Sequence, residues 1–115
     1  MDELSELKRK LREFAEARDW EKFHNPKNLA MALAAECGEL LEIFQWRSGE
    51  ESGQLDVEMR HRVEDELADI LIYLVRMADR TDIDLLAAAH AKMKRNESRY
   101  PAERVRGQAL KYDEY

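Results

Sequence analysis

The 115-residue chain is one domain's worth, since domains cluster near ~100–150 residues, and two independent cores are excluded. Hydrophobic residues make up 44% and charged residues 38%, with four glycines and two prolines, which excludes a disordered chain, a collagen-like one and a turn-rich β-sandwich. A formal charge of −6, from 25 acids against 19 bases, disfavours nonspecific binding to nucleic acid or to an acidic membrane, so a polyanionic ligand would need metal ions.

The single cysteine cannot form an internal disulfide, and no apolar run approaches the ~18 residues of a membrane span or suggests a signal peptide. The cytoplasm is the expected compartment.

In chain order, Leu4, Leu7, Leu11, Phe14 and Ala15 recur three or four apart, which predicts an amphipathic helix from Asp2 to about Arg18. Asn25 can cap a second helix with Pro26 at its first position, where a missing N–H costs nothing; it runs to about Trp46. Arg47 to Gln54 is polar, holds two glycines and has no periodicity, so it is expected to be a loop. A third helix, from about Asp56 to Asp79, carries Met59, Val63, Leu67, Ile70, Leu71, Leu74 and Met77 on one stripe. Thr81 with Asp84 resembles a capping box and opens a fourth helix that Pro101 stops near Tyr100. These elements predict an all-α four-helix bundle over residues 1–101, followed by a polar tail, 102–115, expected to be poorly ordered or partner-bound. Four short helices make a small core, so a symmetric homodimer or homotetramer is expected.

The informative acids are those that point inward. At 100° per residue, with Leu29 at 0°, Glu36 falls at about 340°, inside the second helix's apolar arc, and Glu39 at about 280°, at its edge. With Val63 at 0°, Glu66 falls at about 300°, among Tyr73, Ile70 and Met77, and Asp69 at about 240°. Glu64 and Asp65 fall at the margin of that arc or outside it. Glu36 precedes the loop by about as many residues as Glu66 follows it, so antiparallel packing brings both pairs to one height, roughly 15 Å from the turn.

An E-x-x-E or E-x-x-D spacing by itself is ordinary in an acidic chain and marks a solvated face. Two such pairs, inward-facing and level, are not ordinary. Burying an unpaired carboxylate costs several kcal/mol, and a counter-charge is needed. The apolar arcs of these helices hold no Lys or Arg, and an all-oxygen donor set suits a hard cation, Mg²⁺ or alternatively Mn²⁺.

These residues resemble the MazG-type all-α nucleoside triphosphate pyrophosphohydrolases, whose signature Glu36-x-x-Glu39 and Glu66-x-x-Asp69 match. More closely, Arg18-Asp19-Trp20-Glu21-x-Phe23-His24-x-Pro26-x-Asn28-Leu29 and Glu36-x-Gly38-Glu39-Leu40-x-Glu42-x-Phe44-Gln45-Trp46 are similar to the dCTP pyrophosphatase branch. The likeness continues through Glu66-Leu67-x-Asp69-x-Leu71-Ile72-Tyr73-Leu74 and Lys92-Met93-x-x-Asn96-x-x-Arg99-Tyr100-Pro101. It implies Mg²⁺-dependent hydrolysis of a deoxynucleoside triphosphate, dCTP or a modified dCTP, to monophosphate and pyrophosphate, serving nucleotide pool cleansing or the supply of dCMP. The resemblance also implies metal ligation by Glu36, Glu39, Glu66 and Asp69, and base contacts from Trp20, Trp46 and Tyr73. His24 and Asn28 join the substrate side, with Asn96 and its basic neighbours near the phosphates. One position departs: animal members carry a His where this chain has Leu11, which bears on base selectivity rather than on the chemistry.

The residues themselves agree with that chemistry. A triphosphate carries about four negative charges, which an acidic protein can hold only through bridging metal ions. Glu39, nearer the edge of its arc than Glu36, is the carboxylate expected to orient the attacking water. Lys92, Arg95 and Arg99 recur on one face of the fourth helix beside Asn96, suited to phosphate oxygens or simply to a solvated basic face. Trp20 and Trp46 suit either core packing or stacking on a base. Cys37 is expected to be a small buried residue, and no histidine is assigned to catalysis. Two rivals are a di-iron bundle using Glu21-x-x-His24 and Glu58-x-x-His61, neither of which faces the interior, and a non-enzymatic oligomerisation module, which would leave Glu36 and Glu66 without a counter-ion.

Overall fold

Side-chain caps start every long helix. In the computed structural model, which describes residues 2–109, Asp2 accepts from Ser5 N at 2.7 Å and opens α1, Glu3–Ala17. Asn25 accepts from Asn28 N at 2.9 Å and opens α2, Pro26–Phe44, with Pro26 in its first turn as predicted. Asp56 caps α4, Val57–Arg80, through Met59 N, and Asp84 caps α5, Leu85–Arg99, through Ala87 N. Each such cap is worth about 1 kcal/mol. The all-α class is as the periodicity predicts, and no strand occurs among the described residues.

Three local features differ from expectation. The expected loop contains a single helical turn, α3 at Gly49–Ser52, closed by a capping box in which Ser48 and Glu51 exchange side-chain and backbone bonds. The Ser-x-x-Glu signal for it is present in the sequence. Thr81 closes α4 instead of opening the next helix: its hydroxyl donates to Met77 O at 2.7 Å, and its backbone lacks the extended conformation of an N-cap. Asp82 follows at φ +56°, a left-handed turn that Asp tolerates better than most residues, and Asp84, in extended conformation, is the cap. Finally, Ala102–Val105 form a short helix, α6, at the start of the expected tail, whose last residues, 110–115, lie outside the described residues.

The chain divides into two compact units, Met1–Asp82 and Ile83–Tyr115. In the first, α2 and α1 both pack on α4, burying Ala15, Leu29, Ile43, Met59, Val75 and Ala78. The second holds α5 and α6. The apolar stripe of α4 is covered unevenly. Met59 is buried and Val63, Ile70 and Met77 half-buried, but Leu67, Leu71 and Leu74 stay 51%, 42% and 36% exposed. Cys37 is exposed, not buried, because it shares the uncovered flank of α2 with Ala34 and Leu41. A helical stripe records which face is apolar, and the helices packed beside it cover only part of it.

Candidate functional site

Where α2 and α4 run side by side, carboxylate oxygens of Glu36, Glu39 and Glu66 all lie within 4.8 Å of one another. Glu36 and Glu66 are half-buried, and one oxygen of each, Oε2, is buried without a hydrogen-bond partner among the described residues. Glu39 is exposed at the rim. Burial, then the neighbouring Glu39 and Glu66, and more weakly Asp69, push the Glu36 carboxyl up to about 7. Glu66 is raised as well, by burial first and by Glu39 and Asp69, against a partial offset from its contact with Glu36.

Orphaned buried oxygens are costly, and three carboxylates this close repel unless one keeps a proton or a cation sits among them. An all-oxygen donor set with lone pairs left over is what a hard divalent cation takes, so the residues present fit such an ion. The periodicity thus places Glu36, Glu39 and Glu66 together as predicted. Asp69, one turn on from Glu66, bears electrostatically on Glu36 and Glu66 but its oxygens do not join the close trio.

The expected substrate residues are more scattered. Tyr73 is half-buried on α4, and Trp46, just past the end of α2, is 89% exposed, so core packing does not explain it. Trp20 is part-exposed in the connection after α1, edge-on to Phe14 with ring centroids 5.7 Å apart, and Arg18 lies over the Phe14 ring. Asn28 is engaged locally, its backbone N–H capped by Asn25 and its Nδ2 donating to Phe23 O at 3.0 Å. Lys92, Arg95, Asn96 and Arg99 lie on α5, in the second unit, where their spacing sets them on one face of that helix.

His24 belongs to an arrangement that sequence reasoning missed. Arg76, on α4, is 2% exposed, the only buried charged residue described. Its Nε donates to His24 Nδ1 at 3.2 Å, its Nη1 to Asp79 at 3.1 Å and its Nη2 to Glu21. Arg80 donates to the other Glu21 oxygen at 2.6 Å and to His24 O at 3.1 Å, and Arg12 of α1 donates to both oxygens of Asp79, sharing Oδ2 with Arg76. Burial first, and then the Arg76 charge, hold the His24 imidazole below its ordinary pKa, so the ring stays neutral and accepts. Glu21 and His24, half of the di-iron alternative, are thus bound by arginines, and His61 sits at the surface beside Glu64. Arg76 falls outside the apolar arc of α4; an irregular connection covers it, and helical periodicity carries no signal of that.

The MazG-like family model matches residues 31–114 of the chain. The sequence is 49% identical to dCTP pyrophosphatase 1 of Bos taurus over 111 residues, 95% of this chain and 66% of the relative. It is 46% identical to dCTP pyrophosphatase 1 of Homo sapiens over 113 residues, 96% of this chain and 66% of that one. The chain therefore spans just under two thirds of the length of these curated relatives. Among solved structures, a pyrophosphatase from Archaeoglobus fulgidus DSM 4304 is similar with a TM-score of 0.82 and 44% identity, covering 88% of this chain and 94% of that one.

Proposed function

Because this chain belongs to the MazG-like family, we propose that it hydrolyses dCTP or a modified dCTP to the monophosphate and pyrophosphate, cleansing the cytoplasmic nucleotide pool. The observation that carries this reading is the trio Glu36, Glu39 and Glu66, with two buried oxygens that no described residue satisfies. Magnesium held by Glu36, Glu39, Glu66 and Asp69 would neutralise the triphosphate and make a bound water more acidic. Net charge −6 is then no obstacle to a polyanionic substrate.

The chain's own groups divide the remaining work. Glu39, exposed at the rim of the trio, orients the water and takes its proton as oxygen attacks the α-phosphorus and the bond to the bridging oxygen of pyrophosphate breaks. Trp20, Trp46 and Tyr73 offer ring faces for the base, with His24 and Asn28 beside that role through the turn they hold. Lys92, Arg95, Asn96 and Arg99 present donors on one helical face that suit phosphate oxygens.

A homodimer or homotetramer accompanies this function. Fully burying a leucine is worth roughly 1.5–3 kcal/mol, and the exposed Leu67, Leu71 and Leu74 on one face of α4 supply the apolar area for a second copy. The test of function is a panel of NTPs and dNTPs incubated with the chain and Mg²⁺, scored for pyrophosphate against orthophosphate. Pyrophosphate and dCMP from dCTP are expected. Orthophosphate alone, or no turnover with any nucleotide, overturns the proposal.

A further inference from the structure

The connection between α1 and α2 is short of apolar anchors. Trp20 is 43% and Phe23 57% exposed, so burial of side chains does not hold this segment against the helices. Its internal geometry is well bonded: Asp19 takes a left-handed φ of +54°, Trp20 N donates to Ala15 O at 2.9 Å, and Phe23 N and His24 N both donate to Trp20 O. What ties this turn to α4 is polar. Glu21 is gripped through one oxygen by Arg76 and through the other by Arg80, and His24 is bound at its ring by Arg76 and at its carbonyl by Arg80. Asp79, itself nearly buried, braces Arg76 and reaches Arg12 on α1, so one network spans both helices and the turn.

A buried arginine with three partners is weak evidence of a stability role, since apolar replacements of such networks are often neutral or stabilising. Its distinctive property is direction. Burial of a leucine fixes proximity, whereas a planar guanidinium bonded to a carboxylate and a ring nitrogen fixes an angle. The group whose angle is fixed is the turn carrying Trp20, whose indole lies within 6.3 Å of the His24 ring, centroid to centroid.

We propose that Arg76 is a positioning residue for nucleotide binding: by clamping Glu21 and the His24 ring it holds the turn that presents the Trp20 indole to the base. Arg76 touches no substrate itself. The proposal rests on the reading above that Trp20 contacts the base. It adds a residue outside the acidic trio and outside the aromatic set as a determinant of substrate affinity. Loosening the clamp lets the indole sample several orientations, and binding must then re-order it at an entropic cost that appears in KM.

The test is steady-state kinetics of the full chain with dCTP and Mg²⁺ for Trp20→Ala, Arg76→Lys, Glu21→Gln and the double variant Trp20→Ala with Glu21→Gln. Glu21 is partly exposed, so Glu21→Gln keeps the experiment decisive if Arg76 variants fail to fold. Trp20→Ala is expected to raise KM roughly tenfold, the order of one base–aromatic stack. Arg76→Lys and Glu21→Gln are expected to raise it several-fold with kcat within about twofold of the parent. The double variant is expected to be no worse than Trp20→Ala alone, because the clamp acts through the indole. With Trp46→Phe as background, Trp20 fluorescence is expected to lose anisotropy in Glu21→Gln.

Folded Arg76→Lys and Glu21→Gln proteins with lower melting temperatures and unchanged KM would show a purely structural network and overturn the inference alone. A Glu21→Gln effect that adds in full to that of Trp20→Ala overturns it likewise. An unchanged KM in Trp20→Ala sinks the reading of Trp20 and the inference with it, and a parent chain that turns over no nucleotide sinks the proposed function and both.

Discussion

Glu36 joins a burial penalty to a proposed task, metal binding. Its carboxyl, ordinarily near 4.5, is pushed up to about 7 by burial and by neighbouring carboxylates. A folded-state pKa above the unfolded one contributes stability that is full below the unfolded value and lost as pH rises through the folded one. The melting temperature of the metal-free chain is therefore expected to fall between about pH 5 and pH 8, and Glu36→Gln to flatten that decline while raising the melting temperature at the upper end by a few degrees. The same variant is expected to lower kcat/KM with dCTP by more than about a hundredfold, since it removes a charge from the trio proposed to hold the metal. A Glu36→Gln enzyme of normal activity would show that the trio holds no catalytic metal. Because metal binding needs the ionised carboxylate, calorimetry with Mg²⁺ near pH 6.5 should register proton release.

His24 titrates with the opposite consequence. Its pKa is lowered by burial and by Arg76, with Arg80 adding to the effect and Glu21 opposing it. Stability from the neutral ring is complete above the ordinary value of 6.5 and is lost as pH falls from there through the lower folded-state value. Thermal melts from about pH 7.5 down to pH 5 should show that loss, and His24→Gln, whose side-chain oxygen can still accept from Arg76, should lack it. A wild-type melting temperature that is flat across that range, once the contribution of Glu36 is subtracted, would contradict the neutral acceptor role.

Among the elements, the helix ends separate what local sequence can announce from what it cannot. Asn25-Pro26 announces the start of α2, and its cap is present. Thr81 and Asp84 have the spacing of a capping box, yet Thr81 back-bonds to Met77 O and Asp84 alone caps α5, because a turn through the left-handed Asp82 must be completed first. Asp84→Ala should therefore cost about 1 kcal/mol and speed amide exchange at Ala87, whereas Thr81→Ala should leave Ala87 protected. Equal effects of the two substitutions would restore the capping box. The Ser48-x-x-Glu51 box was legible and its helix is only one turn long, too short to show any apolar period.

In the molecule as a whole, the acidic balance stops being a uniform property. Of 25 acids, three converge between α2 and α4, and Glu21 and Asp79 are held in the network around the buried Arg76. The remaining apolar exposure on α4 leads to an assembly prediction: Leu71→Glu should shift the chain toward monomer in light scattering at matched concentration, while a polar change at exposed Glu64 should not. A parent chain that is already monomeric at micromolar concentration would remove the basis for that expectation.

Local pattern was enough for the four long helices, for the starts of most of them and for the convergence of Glu36, Glu39 and Glu66. Each depends on relations between residues a few positions apart, or on two helices joined by a short connection and forced to run antiparallel. Which part of the α4 stripe is covered, the exposure of Cys37 and the burial of Arg76 follow from packing alone. Burial depends on what lies alongside in space, and here the covering segment is an irregular turn, residues 18–25, whose path follows no helical period.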